Sequence, residues 1–273
     1  MANTLIKLVL LPVIFSVLWS PPLFSAQFSA DIQRIKDRGK IVVARYHEDR
    51  FPFFFHSAGN LAGLDAKIAE EVARLLGVTV EYHIASSFDE IVDVVAAGQA
   101  DVGISELSIT LARAQKVAYT QPYALLHKAL LIDRVGTTQR KRGDDPFLLC
   151  NHPDARIGAL KGSSHLETAK EFFPLAEIVP YTSFLDAVAA GLAGEILAVV
   201  SDDRQITHLL REDPAIVLKL RAMILKDQID PIGIITHADN THLLSWLNLY
   251  LQTRKISYTT DSLLKLYSYP EEH

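Results

Sequence analysis

The sequence lacks several features that assign a function directly. It has 273 residues and one cysteine, Cys150, which excludes an intramolecular disulfide and a zinc site built from several cysteines. Its 27 basic and 32 acidic residues give a net charge of −5, and no basic run is longer than residues 140–142. The electrostatic footprint of a nucleic-acid-binding protein is therefore absent. The sequence also has no GxxxxGK[ST] motif, no GxGxxG motif after a strand and no complete nucleophile elbow.

Metal-ligand spacing is missing as well. The closest two of the ten histidines, His237 and His242, are five residues apart and do not share a helix face. We therefore expect neither a metal ion nor another cofactor.

The first 26 residues have the parts of a secretory signal peptide. A single charge, Lys7, precedes an apolar run over residues 8–19, which is followed by two prolines and by the small residues Ser25 and Ala26. A membrane anchor is the alternative, but a spanning helix needs about 20 apolar residues and this run is shorter. No cysteine follows the run, so a lipid anchor is not expected. The sequence thus predicts a signal peptide over residues 1–26 and a freely soluble, periplasmic mature chain.

Strands and helices alternate along the remaining sequence. Apolar, β-branched runs at residues 40–44, 78–82 and 101–105 predict strands, and helical spacing of apolar residues predicts helices over 64–76 and 87–97. Such alternation is typical of an α/β fold with a parallel sheet.

The alternation restarts after residue 123 and returns near the end. We predict a discontinuous first lobe over residues 27–127 and 230–273, interrupted by a second lobe over 128–229. Two connecting strands would form a hinge beside a cleft, and open α/β sheets bind ligands outside the carboxyl ends of their strands. A helix over residues 241–253 is predicted in the returning segment.

Polar residues follow the predicted strands where such a cleft would lie. Ser105, Ser108 and Arg113 surround a predicted helix start at Thr110, an arrangement suited to a carboxylate. The other reading is a solvated arginine beside capping serines, and Arg113 alone does not separate the two.

The second predicted lobe offers two further polar strand ends. Ser163 and Ser164 open a helix after a glycine, and Asp202 ends an apolar strand where it could meet an ammonium group. Each is also a good helix cap. With the nearby aromatic residues Phe51 and Phe88, the set describes a site for a zwitterion.

Four stretches resemble one protein family. They are GLDAKIAEEVARLLGV, FDEIVDVVAAGQADVGISELSITLARAQKVAYTQPY, IGALKGSSH and AVVSDD. In order and spacing they are similar to the family 3 bacterial extracellular solute-binding proteins, the amino-acid receptors of ABC importers. The resemblance implies the type II periplasmic-binding-protein fold, with two α/β lobes joined by a two-strand hinge. It further implies that Arg113 binds the ligand α-carboxylate with Ser105, Ser108 and Ser163 or Ser164, that Asp202 binds the α-ammonium, and that Phe88 forms an aromatic wall.

Four residues depart from the family pattern or add charge near the expected ligand side chain: Arg50, Glu106, Lys161 and His165. Glu106 would select a cationic side chain, whereas Lys161 and Arg50 would select an acidic one, and the sequence does not separate these readings. The bound amino acid stays open.

The resemblance implies a monomeric binding protein, not an enzyme, that delivers an amino acid to a membrane ABC permease. Two alternatives stay open. One is an enzyme on the same fold, similar to cyclohexadienyl dehydratases, for which Glu106 or His165 would serve as general acid. The other is a ligand sensor for a membrane signalling partner.

Overall fold

The computed structural model describes residues 29–139 and 145–267. The predicted signal peptide over residues 1–26 lies outside the described residues. Within these residues, no helix combines the length and apolar character needed to cross a membrane.

The described chain alternates between strands and helices. The strands are β1 (Lys40–Tyr46), β2 (Phe55–Ser57), β3 (Asn60–Ala62), β4 (Thr79–Ala85), β5 (Val102–Gly103), β6 (Val117–Tyr119), β7 (Ala124–Asp133), β8 (Arg156–Leu160), β9 (Glu177–Tyr181), β10 (Ala198–Asp202), β11 (Leu220–Ile232), β12 (Ile235–His237) and β13 (Tyr258–Thr259). The helices are α1 (Ala30–Arg38), α2 (Leu64–Leu76), α3 (Phe88–Ala96), α4 (Arg134–Gln139), α5 (Pro146–Cys150), α6 (Ser164–Phe172), α7 (Phe184–Leu192), α8 (Asp203–Glu212), α9 (Thr241–Thr253) and α10 (Thr260–Leu266). Short 3₁₀ turns lie at Arg113–Gln115 and Pro214–Leu218.

Two sheets organise these elements. The first has the order β4-β1-β5-β12-β6, with β1 parallel to both β4 and β5 and with β12 antiparallel to β5 and β6. The second has the order β11-β7-β10-β8-β9, and β13 pairs with β7. β2 and β3 form a separate hairpin. Buried apolar clusters pack on the faces of each sheet.

The connection between the two sheets runs through β7 and β11. These long antiparallel strands pair from Ala124 with Ile232 to Asp133 with Leu220, and their register shifts between Ile224 and Ile229. The chain enters the second sheet on β7 and leaves it on β11. These two strands are where the sequence predicted the two connections between the lobes. The lobe boundaries at 127/128 and 229/230 fall inside these strands and stay a prediction.

Local sequence accounts for several helix ends. The side chains of Ser87, Ser183 and Asp202 accept hydrogen bonds from the backbone N–H groups of the first turns of α3, α7 and α8. Gly77 ends α2 in the left-handed conformation, with φ of 73°. Because these caps fix where each helix begins or ends, they also fix where the preceding strand presents its polar end.

One expected helix is wrong. Thr110 does accept a hydrogen bond from the backbone N–H of Arg113, at 3.2 Å, but only the 3₁₀ turn at Arg113–Gln115 follows. The chain enters β6 at Val117, because the residues from there onward pair with β12 in the first sheet. Arg113 is therefore held by one turn, without the dipole of a full helix.

Candidate functional site

The polar strand ends of the two sheets enclose a small cavity of about 10 Å³, the room of about one water molecule. Nine residues that the sequence singled out line it: Arg50, Phe88, Glu106, Ser108, Arg113, Ser163, Ser164, His165 and Asp202. Sequence reasoning missed Leu126, Asp230 and Ile232, which complete the lining. All three lie on β7 or β11, the strands that connect the sheets.

We call one side of the cavity, formed by Arg113, Ser108, Ser163 and Ser164, the Arg113 end. Arg113 donates to the carbonyl oxygens of Ser108, at 3.5 Å, and Gly162, at 3.3 Å. Its nearest carboxylate, at 3.7 Å, belongs to Asp89, whose side chain is 66% exposed. Among the described residues, Arg113 is thus a buried guanidinium without a buried carboxylate partner.

A ring of hydrogen bonds joins both sheets beside Arg113. Lys128 donates to the Ser164 hydroxyl at 3.2 Å, Ser164 donates to the Ser108 hydroxyl at 2.8 Å, and Ser108 donates to Asp230 at 3.1 Å. Lys128 closes the ring through its ion pair with Asp230, at 2.8 Å. Burial alone would raise the pKa of Asp230, but the imidazole of His165, 3.6 Å away, and Lys128 hold it well below its usual range.

The other side of the cavity is an ion-pair cluster of Arg50, Glu106, Asp202 and Arg204. Arg50 donates to Glu106 at 2.7 Å, and Arg204 donates to the second oxygen of the same carboxylate. Asp202 lies 3.4 Å from Arg204 and 3.7 Å from Arg50, and all four side chains are at least nine-tenths buried. The cluster therefore joins two loops of the first sheet to the end of β10 and the start of α8 in the second.

Electrostatics within the cluster favour the charged forms of Arg50 and Asp202, whereas burial raises the pKa of Glu106 above its ordinary value in spite of both arginines. Although burial acts to lower the pKa of Arg50, the carboxylates of Glu106 and Asp202 raise it above its ordinary value. Burial acts to raise the pKa of Asp202, but Arg204, His165 and Arg50 hold it below its usual range. The cluster is a set of buried charges that depend on one another.

Two more hydrogen bonds link the loop after β1 to α8. Arg204 donates to the backbone carbonyl of Phe51 at 2.8 Å, and Arg50 donates to the side chain of Gln205 at 3.0 Å. Arg204 and Gln205 lie on α8, whereas Arg50 and Phe51 follow β1. Sequence reasoning did not single out Arg204, Lys128 or Asp230, because an isolated charge on a helix or a strand carries no local signal of burial.

Asp65 supports the loop that carries Glu106. The backbone of Glu106 has φ of 50°, a left-handed conformation that is uncommon outside glycine, and its N–H donates to Asp65 at 2.8 Å. The Tyr123 hydroxyl donates to the second oxygen of Asp65 at 2.7 Å. Burial raises the pKa of Asp65 to about 7. Asp65 thus fixes the orientation of the Glu106 backbone from behind the cavity.

Phe88 forms a wall of the cavity. Its ring stacks on Tyr46 with 4.6 Å between centroids, and the Arg50 guanidinium lies 5.5 Å from its ring centre. Phe88 therefore also positions Arg50.

Three expected site residues are not brought to the cavity wall. The Ser105 hydroxyl accepts a hydrogen bond from the backbone N–H of Tyr46, and Lys161 is exposed. Phe51 stacks on His208, with 4.7 Å between centroids, and lines a separate groove of about 550 Å³. Their roles in ligand binding stay predictions.

Across residues 29–139 and 145–267, no group of three or more His, Cys, Asp or Glu side chains could hold a metal ion.

Comparisons with known proteins place this geometry in context. Over 136 residues the chain is 29% identical to a membrane-bound lytic murein transglycosylase F of Maricaulis maris, a match that covers 50% of this chain and 28% of the relative. It is 26% identical over 167 residues to a probable histidine-binding protein of Campylobacter jejuni subsp. jejuni, covering 61% of each chain. The chain thus spans less than two thirds of the length of these curated relatives.

Solved structures and a family model agree on the fold. The crystal structure of AncCDT-1, an ancestral amino acid-binding protein and precursor of cyclohexadienyl dehydratase, aligns with a TM-score of 0.71 at 24% identity and covers 86% of this chain and 98% of that one. This likeness and the two-sheet topology confirm the predicted type II periplasmic-binding-protein fold. A model of the family matches residues 42–269. The chain belongs to the bacterial extracellular solute-binding proteins, family 3.

Proposed function

We propose that this protein is an exported, monomeric binding protein that captures an amino acid or a similar small carboxylate in the cavity between its lobes and presents it to an ABC permease. The observation that carries the proposal is Arg113, a buried guanidinium that lines the cavity and, within residues 29–139 and 145–267, lacks a buried carboxylate partner. A cation of this kind is a natural partner for a ligand carboxylate. The similarity to a probable histidine-binding protein supports an amino-acid ligand.

The residues around the cavity suggest a role for each contact. Arg113 binds the α-carboxylate together with the Ser108 and Ser164 hydroxyls. The hydrogen bond between these two hydroxyls is replaced by hydrogen bonds to the ligand. Asp202 binds the α-ammonium, and Phe88 packs on the ligand. These groups come from both sheets, so a bound ligand would hold the lobes together.

Loading requires the lobes to separate, because a cavity of about 10 Å³ is too small for any amino acid. Opening would break the hydrogen bond between Ser164 and Ser108 and that between Arg204 and Glu106. Bending in β7 and β11, near the boundaries at 127/128 and 229/230, is the simplest way to achieve it.

A thermal-shift screen of the purified protein tests the proposal. Each of the twenty amino acids and a set of small carboxylates is added separately, followed by titration calorimetry for every hit. A ligand at 100 times its dissociation constant stabilises the folded form by about 2.7 kcal/mol, which is readily measured. If no amino acid or small carboxylate raises the melting temperature, the proposal is wrong.

Catalysis on the same fold is the second candidate, because His165 lines the cavity and its Nε2, 3.6 Å from Asp230, has no hydrogen-bond partner in the described part of the chain. We favour binding for two reasons. Glu106, the other candidate acid, is engaged by two arginines, and burial together with Lys128 lowers the pKa of His165, which disfavours the protonated form. Incubation with prephenate separates the candidates: we expect no product, and its formation would establish an enzyme.

The permease is also part of the proposal. A deletion strain should lose uptake of the ligand found in the screen, and the intact gene should restore it. Normal uptake without the protein would instead favour a signalling partner that senses the closed form.

A further inference from the structure

One buried carboxylate outside the cavity lining joins three elements of the fold. Asp203 is the first residue of α8, and only 5% of its surface is exposed. One carboxylate oxygen accepts hydrogen bonds from the backbone N–H of His127 on β7, at 3.1 Å, and from the hydroxyl of Thr260 on α10, at 2.7 Å. The other oxygen lies 3.1 Å from Nδ1 of His127. We call Asp203, His127 and Thr260 the Asp203 joint.

Two elements of the joint also carry residues of the candidate site. On α8, Asp203 stands between Asp202 and Arg204 of the ion-pair cluster. On β7, His127 precedes Lys128, which belongs to the hydrogen-bonded ring beside Arg113. Asp202 and Lys128 are themselves opposite each other where β10 pairs with β7. A shift of the start of α8 along β7 would therefore move the two sides of the cavity relative to each other.

The third element of the joint comes from the C-terminal part of the chain. α10 begins at Thr260, directly after a capping box formed by Thr259 and Ser262. The preceding strand, β13, pairs with β7. The Thr260 hydroxyl is thus presented to Asp203 by a helix start that is itself fixed to the connecting strand. The described residues that line the cavity include none from α10.

The hydrogen bonds of the joint hold it in one arrangement. Thr260 is only 7% exposed, so its hydroxyl has little access to water as a substitute partner. A buried donor that loses its acceptor is costly, and a single oxygen of Asp203 accepts from both Thr260 and the backbone of His127. The start of α8 therefore has one favourable position between β7 and α10.

We propose that Asp203 is a positioning residue for ligand binding. Its partners on β7 and α10 fix the start of α8 in place, and with it Asp202 and Arg204. This inference rests on the proposed binding function, but Asp203 itself contacts no ligand. When the lobes separate and the ion pairs between them break, the joint still holds Asp202 where the ammonium group of a ligand binds.

Two replacements of Asp203 separate its hydrogen bonds from its charge. In Asp203→Asn the amide oxygen can accept from the His127 N–H and from Thr260, and the amide nitrogen can donate to Nδ1 of His127. In Asp203→Leu an apolar side chain of similar shape accepts nothing. We expect the Asn variant to bind within about threefold of the wild type and the Leu variant at least about tenfold more weakly. Equal affinities of the two variants would overturn the inference.

Calorimetry measures these affinities with one defined probe. It is whichever compound of the thermal-shift screen, amino acid or small carboxylate, binds the wild-type protein most tightly. Failure of every compound to bind would overturn the proposed function.

Asp31 provides the matched control, a carboxylate with a merely structural role. It is 8% exposed and accepts hydrogen bonds from the backbone N–H of Leu243, at 2.9 Å, and from the hydroxyl of Ser29, at 2.5 Å. It therefore joins α1 to α9 much as Asp203 joins its elements, but next to no cavity residue in the chain. We expect Asp31→Leu and Asp203→Leu both to lower the urea midpoint, and only Asp203→Leu to weaken probe binding. Equal losses of affinity would mean that binding merely follows stability, and the inference would be wrong.

Thr260 tests the joint from the C-terminal helix and does not depend on whether Asp203→Leu folds. Thr260→Val keeps the shape of the side chain but removes the hydroxyl, whereas Thr260→Ser keeps the hydroxyl. We expect the Val variant to bind the probe about three- to tenfold more weakly and the Ser variant within about twofold of the wild type. Wild-type affinity of Thr260→Val would contradict the coupling of α10 to the site.

Hydrogen exchange of the ligand-free protein tests the positioning without a probe. The backbone N–H of Gln205 donates to the Asp202 carboxylate at 2.7 Å and closes the first turn of α8. In Asp203→Leu we expect this turn to exchange at least about tenfold faster than in Asp203→Asn, with β1 and β4 of the first sheet unchanged. Equal exchange of the turn in both variants would overturn the inference and leave the proposed function standing.

Discussion

The two sides of the cavity use arginine in opposite ways. At the Arg113 end, the guanidinium has carbonyl partners and one exposed carboxylate, so its charge is only partly compensated. In the ion-pair cluster, Arg50 and Arg204 share Glu106 and approach Asp202, and together they join the two lobes. A buried, uncompensated cation is suited to binding a ligand, whereas a compensated one contributes to structure. The comparison therefore predicts that changes at the Arg113 end weaken binding and that changes in the cluster also weaken folding.

The largest effect is expected for Arg113→Met. Loss of the cation that receives the ligand carboxylate should cost about 2 to 5 kcal/mol of binding free energy, as for other buried charge pairs. The free energy of unfolding should change by less than about 1 kcal/mol, because no buried carboxylate in the part of the chain that the structure describes loses its partner. Calorimetry with the ligand found in the screen, together with urea denaturation, measures both quantities, and Arg211→Met is the control. Unchanged affinity would remove Arg113 from the site.

Arg204→Met should have the next largest effect, and here on stability. The change leaves Glu106 with one cation and the Phe51 carbonyl without its donor, so we expect the free energy of unfolding to fall by about 3 kcal/mol. Urea denaturation of the ligand-free protein measures it. If Arg204→Met were as stable as Arg113→Met, the proposed difference between the two sides would not exist.

The pH dependence of stability measures the contribution of Asp65, the residue that supports the backbone of Glu106 from outside the ion-pair cluster. The pKa of Asp65 is raised to about 7 from an unfolded value of 3.8, so between these values the folded state binds more protons than the unfolded state. The contribution of Asp65 to stability is therefore complete below about pH 4 and is lost as the pH rises to 7. Its slope is at most about 1.4 kcal/mol per pH unit.

Asp65→Asn should remove this slope, because an amide does not titrate in this range. Urea denaturation of both proteins at several pH values from 4 to 8 measures the difference. Asp230, with a lowered pKa, contributes in the opposite sense, since its contribution is lost as the pH falls below about 4. It therefore does not interfere above that pH. Parallel profiles for wild type and Asp65→Asn would contradict the assignment.

The smallest effect is expected for Lys161→Ala. Its side chain is exposed and lies outside the cavity lining, so a change of less than about twofold in the dissociation constant is expected. Calorimetry with the same ligand measures it. A larger loss would mean that Lys161 reaches the ligand when the lobes move. The comparison of the Arg113 end with the ion-pair cluster would then have left out one cation that binds the ligand.

Sequence patterns predicted one side of the cavity better than the other. Ser108 and Arg113 lie five residues apart in one continuous motif after a strand, so local spacing places them together, whereas Ser164 follows another strand, 56 residues from Ser108. Arg50, Glu106 and Arg204 are separated by 56 and 98 residues, and only folding brings them into contact. The sequence presented Arg50 and Glu106 as conflicting signs for the ligand charge, whereas in the folded protein they neutralise each other.

The helices show the same division. α9, predicted over residues 241–253, is observed at Thr241–Thr253, because its apolar periodicity and end signals are local. The helix expected after Thr110 is reduced to one 3₁₀ turn, because pairing of β6 with β12 takes the next residues. Long-range strand pairing overrode a correct local capping signal there.

The sequence by itself determined the α/β alternation and the residue types around Arg113, since each depends on periodicity or on a short motif. It also predicted an interrupted first lobe. Only the tertiary structure decided which charges are free. Lys128 and Asp230 lie on the two connecting strands and Arg204 on a helix, and each looks like an ordinary surface charge until its neighbours are known. Charge pairing depends on distance in space, and burial multiplies its effect, so no local pattern reveals it.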